Sequence, residues 1–167
     1  MKKLLISFLI FGLAIQTFAQ IKTEQLSEVV IAATNYKYLN KTGIENASVP
    51  VSLLEHKVAS FDLKNSEYYR DDYDYYEITF YIPEGFILAA YDKNGEIIRT
   101  AERFNDVALP KAVITAITKR FPMWVIKKDV YLVSYYDSGK ITKKYKITLE
   151  NGDERLKIKT DAEGNFL

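Results

Sequence analysis

The sequence has 167 residues, a formal net charge of +1, no cysteine, and a tyrosine-rich aromatic set of 13 Tyr, 9 Phe and 1 Trp. The absence of cysteine excludes disulfides, thiolate metal sites, thiol nucleophiles and a lipidation cysteine. The near-neutral charge argues against nucleic-acid binding, and a hydrophobic content of 48% is enough to build a core.

Residues 1–19 predict an export signal. Lys2 and Lys3 form a positive start, Leu4 to Ile15 form an apolar run, and Ala19 is a small residue just before the expected cleavage at Gln20. The apolar run is too short to cross a bilayer comfortably, which disfavours a membrane anchor. We therefore expect an exported protein, periplasmic or secreted, with no membrane span after the signal is removed.

Residues 20–48 are predicted to form an N-terminal strand and a loop. Leu26 to Ala33 is a short β-branched run that is typical of a strand. Residues 35–47 are expected to be a loop that leads into the rest of the chain.

An internal repeat divides the remaining sequence into two units, residues 49–101 and residues 102–167. Val49 to Phe61 aligns without gaps on Leu109 to Phe121, and the second residue of each copy is a proline, which the first turn of a helix tolerates. Both copies are therefore predicted helices. Their apolar stripes are Leu53, Leu54 and Val58 in the first copy, and Val113, Ile114 and Ile117 in the second.

Strands are predicted after each helix. They cover residues 76–82, 86–91 and 97–101 in the first unit, and residues 130–136, 141–149, 155–160 and 165–167 in the second. The turn sequences Asn94-Gly95 and Asn151-Gly152 favour hairpins. The predicted fold class is α+β: two tandem helix-plus-antiparallel-sheet units whose helices pack on one face of the sheet.

The second unit resembles a known family. The matching residues are Leu109-Pro110, Ala112-Val113, Ile117, Phe121-Pro122, Tyr131, Tyr145, Leu149, Asn151-Gly152, Asp161 and Gly164. They are similar to the PepSY-like family of secreted bacterial proteins, also described as β-lactamase-inhibitor-like, over residues 106–167 and more weakly over residues 49–101. The resemblance implies repeats of a helix plus antiparallel sheet and a periplasmic or secreted binding protein. It transfers no inhibitor-contact residue to this sequence.

The sequence offers little for catalysis. His56 is the single histidine, and its position within the first predicted helix favours a solvent-facing or hydrogen-bonded residue over a triad member. The acidic run Asp71, Asp72, Asp74 and Glu77 departs from a calcium-binding loop, because Glu77 stands where that loop needs glycine. No catalytic residue, metal ligand or cofactor is predicted, and a hydrolase using paired carboxylates is kept as an alternative.

A basic strip on the predicted sheet is the candidate binding site. Lys144 and Lys146 alternate with apolar residues on one strand, and Arg155, Lys157 and Lys159 do so on the next. Period two sends the apolar side chains toward the helices and the basic side chains outward. Positive charge also gathers in the second unit, since residues 101–167 hold 13 basic and 9 acidic side chains against 8 and 13 in residues 20–100.

These patterns predict a non-catalytic binding or inhibitor-like module. Its exposed sheet face, with the nearby aromatics Trp124, Tyr131 and Tyr135, is expected to engage an acidic protein or an anionic component of the envelope. A simpler interpretation is that the lysines only keep an exposed sheet soluble. A small-ligand carrier with a pocket between the two units is a further alternative.

Removal of the export signal is directly testable. Because Lys2, Lys3 and the apolar run precede Ala19, the mature protein is expected to begin at Gln20. Mass spectrometry of the protein purified from its native host identifies the N-terminus. A mature chain that keeps Met1 would contradict the assignment.

Overall fold

A computed structural model of the chain describes residues 35–43 and 47–167. The predicted export signal and the predicted strand at residues 26–33 lie outside these residues. The helices are α1 (Tyr36–Thr42), α2 (Val49–Ala59) and α3 (Lys111–Arg120). The strands are β1 (Tyr75–Ile82), β2 (Gly85–Asp92), β3 (Ile97–Asn105), β4 (Val125–Tyr136), β5 (Ile141–Asn151) and β6 (Glu154–Thr160). None of the described helices is long and apolar enough to cross a membrane.

The six strands form one antiparallel sheet whose spatial order follows the chain, from β1 to β6. Three strands follow α2 and three follow α3, so the predicted α+β class is confirmed. The strands are longer than predicted: β3 continues to Asn105 and β4 already begins at Val125. The predicted strand at residues 165–167 is reduced to a single bridge between Thr160 and Phe166.

The turn between β1 and β2 needs a glycine. A Cβ on Gly85 would lie 2.1 Å from the carbonyl oxygen of Arg103 on β3. Because that contact is with backbone, no side-chain movement could relieve it. Gly85 therefore lets β2 approach β3 closely enough to continue the sheet.

The helices pack on one side of the sheet, which we call the covered face. Its strands contribute buried apolar residues that include Ile87, Phe104 and Ile147, and these form one cluster with Val58 of α2 and Ile117 of α3. The opposite side, which we call the open face, carries no helix of the described chain and consists of the alternate residues of the same strands. The period of two along each strand thus separates core from solvent.

Helix α1 occupies a segment that was expected to be a loop. Tyr38, Leu39 and Thr42 are buried along one side of its seven residues, and Gly43 ends it with a φ of 64°. Glycine adopts this left-handed conformation without a Cβ penalty, so it is a common helix stop. The segment was missed because two turns are too short to show a helical period.

The buried stripe of α2 differs from the predicted one. Leu53 was expected in the core but is 65% exposed. Leu54 and Val58 are buried as predicted, and Val51 and Glu55 are buried with them. They recur at intervals of three and four residues, which places them on one side of the helix, and a glutamate therefore enters the core.

The two edges of the sheet differ in charge. Edge strand β1 has the sequence YYEITFYI, in which Glu77 is the one charged residue. Edge strand β6 carries Arg155, Lys157 and Lys159, and the backbone N–H of Leu167 donates to the carbonyl of Lys159. Charged side chains on an edge discourage pairing with another chain, so only β6 has this protection.

The burial of α3 gives a stability prediction. Ile117 is 1% exposed and Ile114 on the same helix is 43% exposed. Ile117→Ala is expected to lower the free energy of unfolding by about 2–5 kcal/mol, because it leaves a cavity beneath α3. Ile114→Ala is the matched control and should cost about 1 kcal/mol or less. Denaturant unfolding measures both, and equal effects would mean that the packed side of α3 is misassigned.

Candidate functional site

The predicted basic strip lies on the open face of β5 and β6. Lys146 lies opposite Lys159, and Lys157 lies opposite Thr148. These three lysines, together with Lys144 and Arg155, are exposed to solvent. The structure therefore places all five basic side chains of the strip on one surface.

Four of the five basic residues have no acidic partner among the described residues. Arg155 Nε lies 2.9 Å from Glu150 Oε1, and Lys127 Nζ lies 3.4 Å from Glu150 Oε2. No described carboxylate comes within 4 Å of the ammonium groups of Lys144, Lys146, Lys157 and Lys159. Because like charges on neighbouring strands repel, this group of four lysines favours an anion.

A shallow depression of about 320 Å³ lies within the strip. It is lined by Val130, Lys146, Ile147, Thr148, Lys157, Ile158 and Lys159. The depression places the apolar side chain of Val130 beside ammonium groups. A side chain that inserted there would meet both kinds of contact.

The β1 end of the open face is aromatic rather than basic. Tyr81 is 70% exposed and its ring centroid lies 6.0 Å from that of Phe86 on β2. Arg99 on β3 forms an ion pair with Glu77 at 2.5 Å, which balances the charge there. Sequence analysis missed this half of the face, although Tyr75, Glu77, Thr79 and Tyr81 alternate on β1 in the required period of two.

Three aromatic residues that were expected beside the strip are not on the open face. Tyr131 is 5% exposed and Tyr135 is 1% exposed, and both belong to the core of the covered face. Tyr131 is opposite Tyr145 on β5, whose side chain points toward the helices. Trp124 precedes β4 and packs half-buried against the same core. The predicted partner-binding role of these three residues on the open face is therefore corrected.

A buried polar cluster lies in the middle of the covered face. Glu102 Oε1 accepts hydrogen bonds from the Tyr38 hydroxyl at 2.8 Å and from the Thr100 hydroxyl at 2.7 Å. Glu55 of α2 and Lys143 of β5 complete the cluster, and both influence the charge of Glu102. The cluster thus joins α1, α2, β3 and β5.

Burial keeps protons on this cluster. Burial, reinforced by the neighbouring Glu102, raises the pKa of Glu55 from 4.5 to about 8. Burial likewise raises the pKa of Glu102, although hydrogen bonds from Thr100 and Tyr38 oppose the shift. The Oε2 atoms of both glutamates are buried without a hydrogen-bond partner among the described residues, and these oxygens are where a retained proton can sit.

The buried glutamate pair is closed to a substrate. Glu55 is 1% exposed and Glu102 is 3% exposed. A general acid or nucleophile must reach the bond that it acts on. The pair is therefore a structural element of the core and does not support the hydrolase alternative.

The acidic run and His56, which sequence analysis also considered, lie in different parts of the fold. Asp71, Asp72 and Asp74 are exposed in the connection before β1, and Asp74 forms an ion pair with Lys93 at 3.4 Å. His56 is half-buried on α2. Within the described residues, no three His, Asp or Glu side chains are grouped so that they could hold a metal ion.

Comparisons with known proteins do not assign the chain to a family. No family model and no curated protein matches the sequence. One solved structure that resembles it is that of a BLIP-like protein from Bacteroides fragilis. The two sequences are 20% identical, the match covers 59% of this chain and 68% of the other chain, and the TM-score is 0.32. A likeness at this level carries no functional information, and the PepSY-like resemblance stays a prediction.

The glutamate pair predicts a pH-dependent stability. The folded state holds a proton on Glu55 up to a pKa of about 8, whereas the unfolded chain releases it near 4.5. The contribution of Glu55 to the free energy of unfolding is therefore greatest at low pH and falls as the pH rises between those values. Burial raises the pKa of Asp129 to about 6, so Asp129 contributes only to the lower part of this window.

Denaturant unfolding at about pH 6.5 and about pH 8.5 isolates the upper part of the window. Glu55→Gln cannot ionise and is expected to lose most of the decrease seen in the wild type. Glu67→Gln removes an exposed carboxylate and should retain it. If Glu55→Gln followed the wild-type profile, Glu55 would not hold the proton.

Proposed function

We propose that this chain is a non-catalytic binding module that uses the open face of its sheet to engage an acidic protein surface. The observation that supports this most is the group of four lysines without acidic partners, Lys144, Lys146, Lys157 and Lys159. A face that only had to stay soluble would gain from alternating acids and bases, which pair across strands. A uniformly basic strip forgoes that gain and is suited to an acidic partner.

The aromatic half of the open face favours a protein partner over a simple polyanion. Tyr75 is 44% exposed, Tyr81 is 70% exposed, and Tyr136 is 45% exposed. Tyrosine is enriched in protein interfaces, where its ring packs and its hydroxyl donates or accepts a hydrogen bond. The partner would place an apolar ridge on β1 and β2 and its carboxylates on β5 and β6.

The proposed setting is the cell envelope or the extracellular space. The export signal predicted at residues 1–19 supports this location. The partner would then be an exported or surface protein with an acidic patch. An anionic envelope lipid is the competing partner that the experiment below separates.

Charge reversal on the open face tests the proposal. Lys146→Glu with Lys157→Glu reverses two of the four lysines, and each lost contact with the partner contributes about 0.2–1 kcal/mol. Adding the new repulsion, capture of the partner from envelope extract at low salt is expected to fall by about tenfold or more. Wild-type capture should also weaken as salt rises, because exposed charges are screened beyond about 8 Å at physiological ionic strength.

The matched control is Lys57→Glu with Lys119→Glu, which makes the same change in net charge on exposed positions of α2 and α3. The control should capture the partner as the wild type does. Equal losses of capture in both variants would mean that the effect comes from net charge and not from the open face. Salt-independent capture that neither variant alters would leave the strip with a solubility role only. If the wild type and the variants bound vesicles of anionic lipid in the same order as they captured the protein, the open face would be assigned to a membrane instead.

A further inference from the structure

The covered face holds a cavity of about 310 Å³ at the N-terminal ends of α2 and α3. Ser48, the N-cap residue of α2, and Pro110, the N-cap residue of α3, both line it. These helices are the two copies of the internal repeat. The repeat therefore brings the starts of both helices to one cavity.

Within the described residues, neither helix start has an acidic side chain to neutralise it. Both lack a side-chain hydrogen bond to the cap, and neither has an acidic residue in its first turn. The first N–H groups of a helix have no partner within the helix, and the aligned peptide dipoles give its N-terminus partial positive charge. Two such ends at one cavity make its potential positive, which favours an anion.

Lys143 adds a full positive charge to the same cavity. It lines the cavity from β5, where its position opposite Val133 puts it on the covered face. Its ammonium group donates one hydrogen bond to the carbonyl of Thr42 at the end of α1. An ammonium group has three hydrogens, so Lys143 can hold a ligand while it keeps this contact. The hydroxyl of Ser48, buried and without a partner among the described residues, is a second donor.

The remainder of the lining is suited to a flat apolar group. The rings of Tyr131 and Tyr145 are stacked at a centroid distance of 4.6 Å and an interplanar angle of 19°. Both tyrosines line the cavity, as do Val107 and Ala162. Among the described lining residues, the exposed Glu163 is the one carboxylate.

We propose that this cavity binds a small organic anion, with its carboxylate at Lys143 and the N-terminus of α2 and its flat apolar body against Tyr131 and Tyr145. The site is separate from the open face, so this inference does not depend on the proposed function. It would make the chain a carrier or sensor of a small carboxylate. No covalent step is involved.

A matched pair of probes tests the ligand class. Phenylacetate and phenylacetamide have nearly the same shape, and only the first is charged. Titration calorimetry on the full chain is expected to show phenylacetate binding at least about tenfold more tightly, because hydrogen bonds to a charged group are the stronger kind. Inorganic phosphate, which has charge but no apolar body, should bind more weakly than phenylacetate.

Variants then locate the site. Lys143→Met should lower phenylacetate affinity by about tenfold or more, whereas Lys146→Met, on the opposite side of the same strand, should leave it unchanged. Glu163→Gln removes the negative charge that the described residues place in the lining, and it should preserve or strengthen binding. Ala108→Phe places a ring at the exposed rim without changing charge, and it should block binding even if Lys143→Met proves unstable.

Several results would overturn the proposal. Equal affinity for the acid and its amide would contradict the preference for an anion. Phosphate binding as tightly as phenylacetate would contradict the contact with an apolar body. An undiminished affinity in Lys143→Met and Ala108→Phe, with both shown to be folded by circular dichroism, would place the ligand elsewhere. If none of the three probes bound, the site would be rejected.

Discussion

All three described helices pack on the same face of a single six-stranded sheet, and the division of the molecule follows from this one-sided packing. Every strand turns one set of alternate residues toward the helices, which the period of two along a strand permits. The covered face consequently holds the core, the glutamate cluster and the cavity between the helix starts. Among the described residues no helix packs against the open face, so its side chains are available to water or to another molecule.

The cluster around Glu102 is the unusual part of the core. A buried carboxyl group costs several kcal/mol unless it is hydrogen-bonded or protonated. Tyr38 and Thr100 donate to Glu102, and Lys143 binds the end of α1 within the same region. These directional contacts add to apolar packing, such as that of the Tyr38 ring against Tyr135 at 5.2 Å. Together they give the short helix α1 a defined position that its own seven residues could not provide.

Sequence analysis could predict the strands, the turns and the outward direction of the basic strip, because alternation and Asn-Gly turns are local signals. The direction of β4 was harder to read, since Val130 and Leu132 are as apolar as Tyr131 and Val133. Only the pairing of Tyr131 with Tyr145 decides which set is covered. The burial of Glu55 could not be predicted, because its neighbour Glu102 is distant in the sequence. Lys143 lies two residues from Tyr145, so the period of two could have assigned it to the covered face. It was not assigned there because it stands next to Lys144 in a run of basic residues.

The two edges of the sheet are unequally protected against pairing with another chain. On β6 the cations repel an approaching strand, and the C-terminal residues already pair with its end. On β1 the single charge, Glu77, is neutralised by Arg99, so this eight-residue strand presents no net charge to an approaching chain. β1 is therefore the edge on which charge gives less protection against pairing with another chain. A lysine at an exposed position of this strand would give β1 the kind of protection that β6 already has.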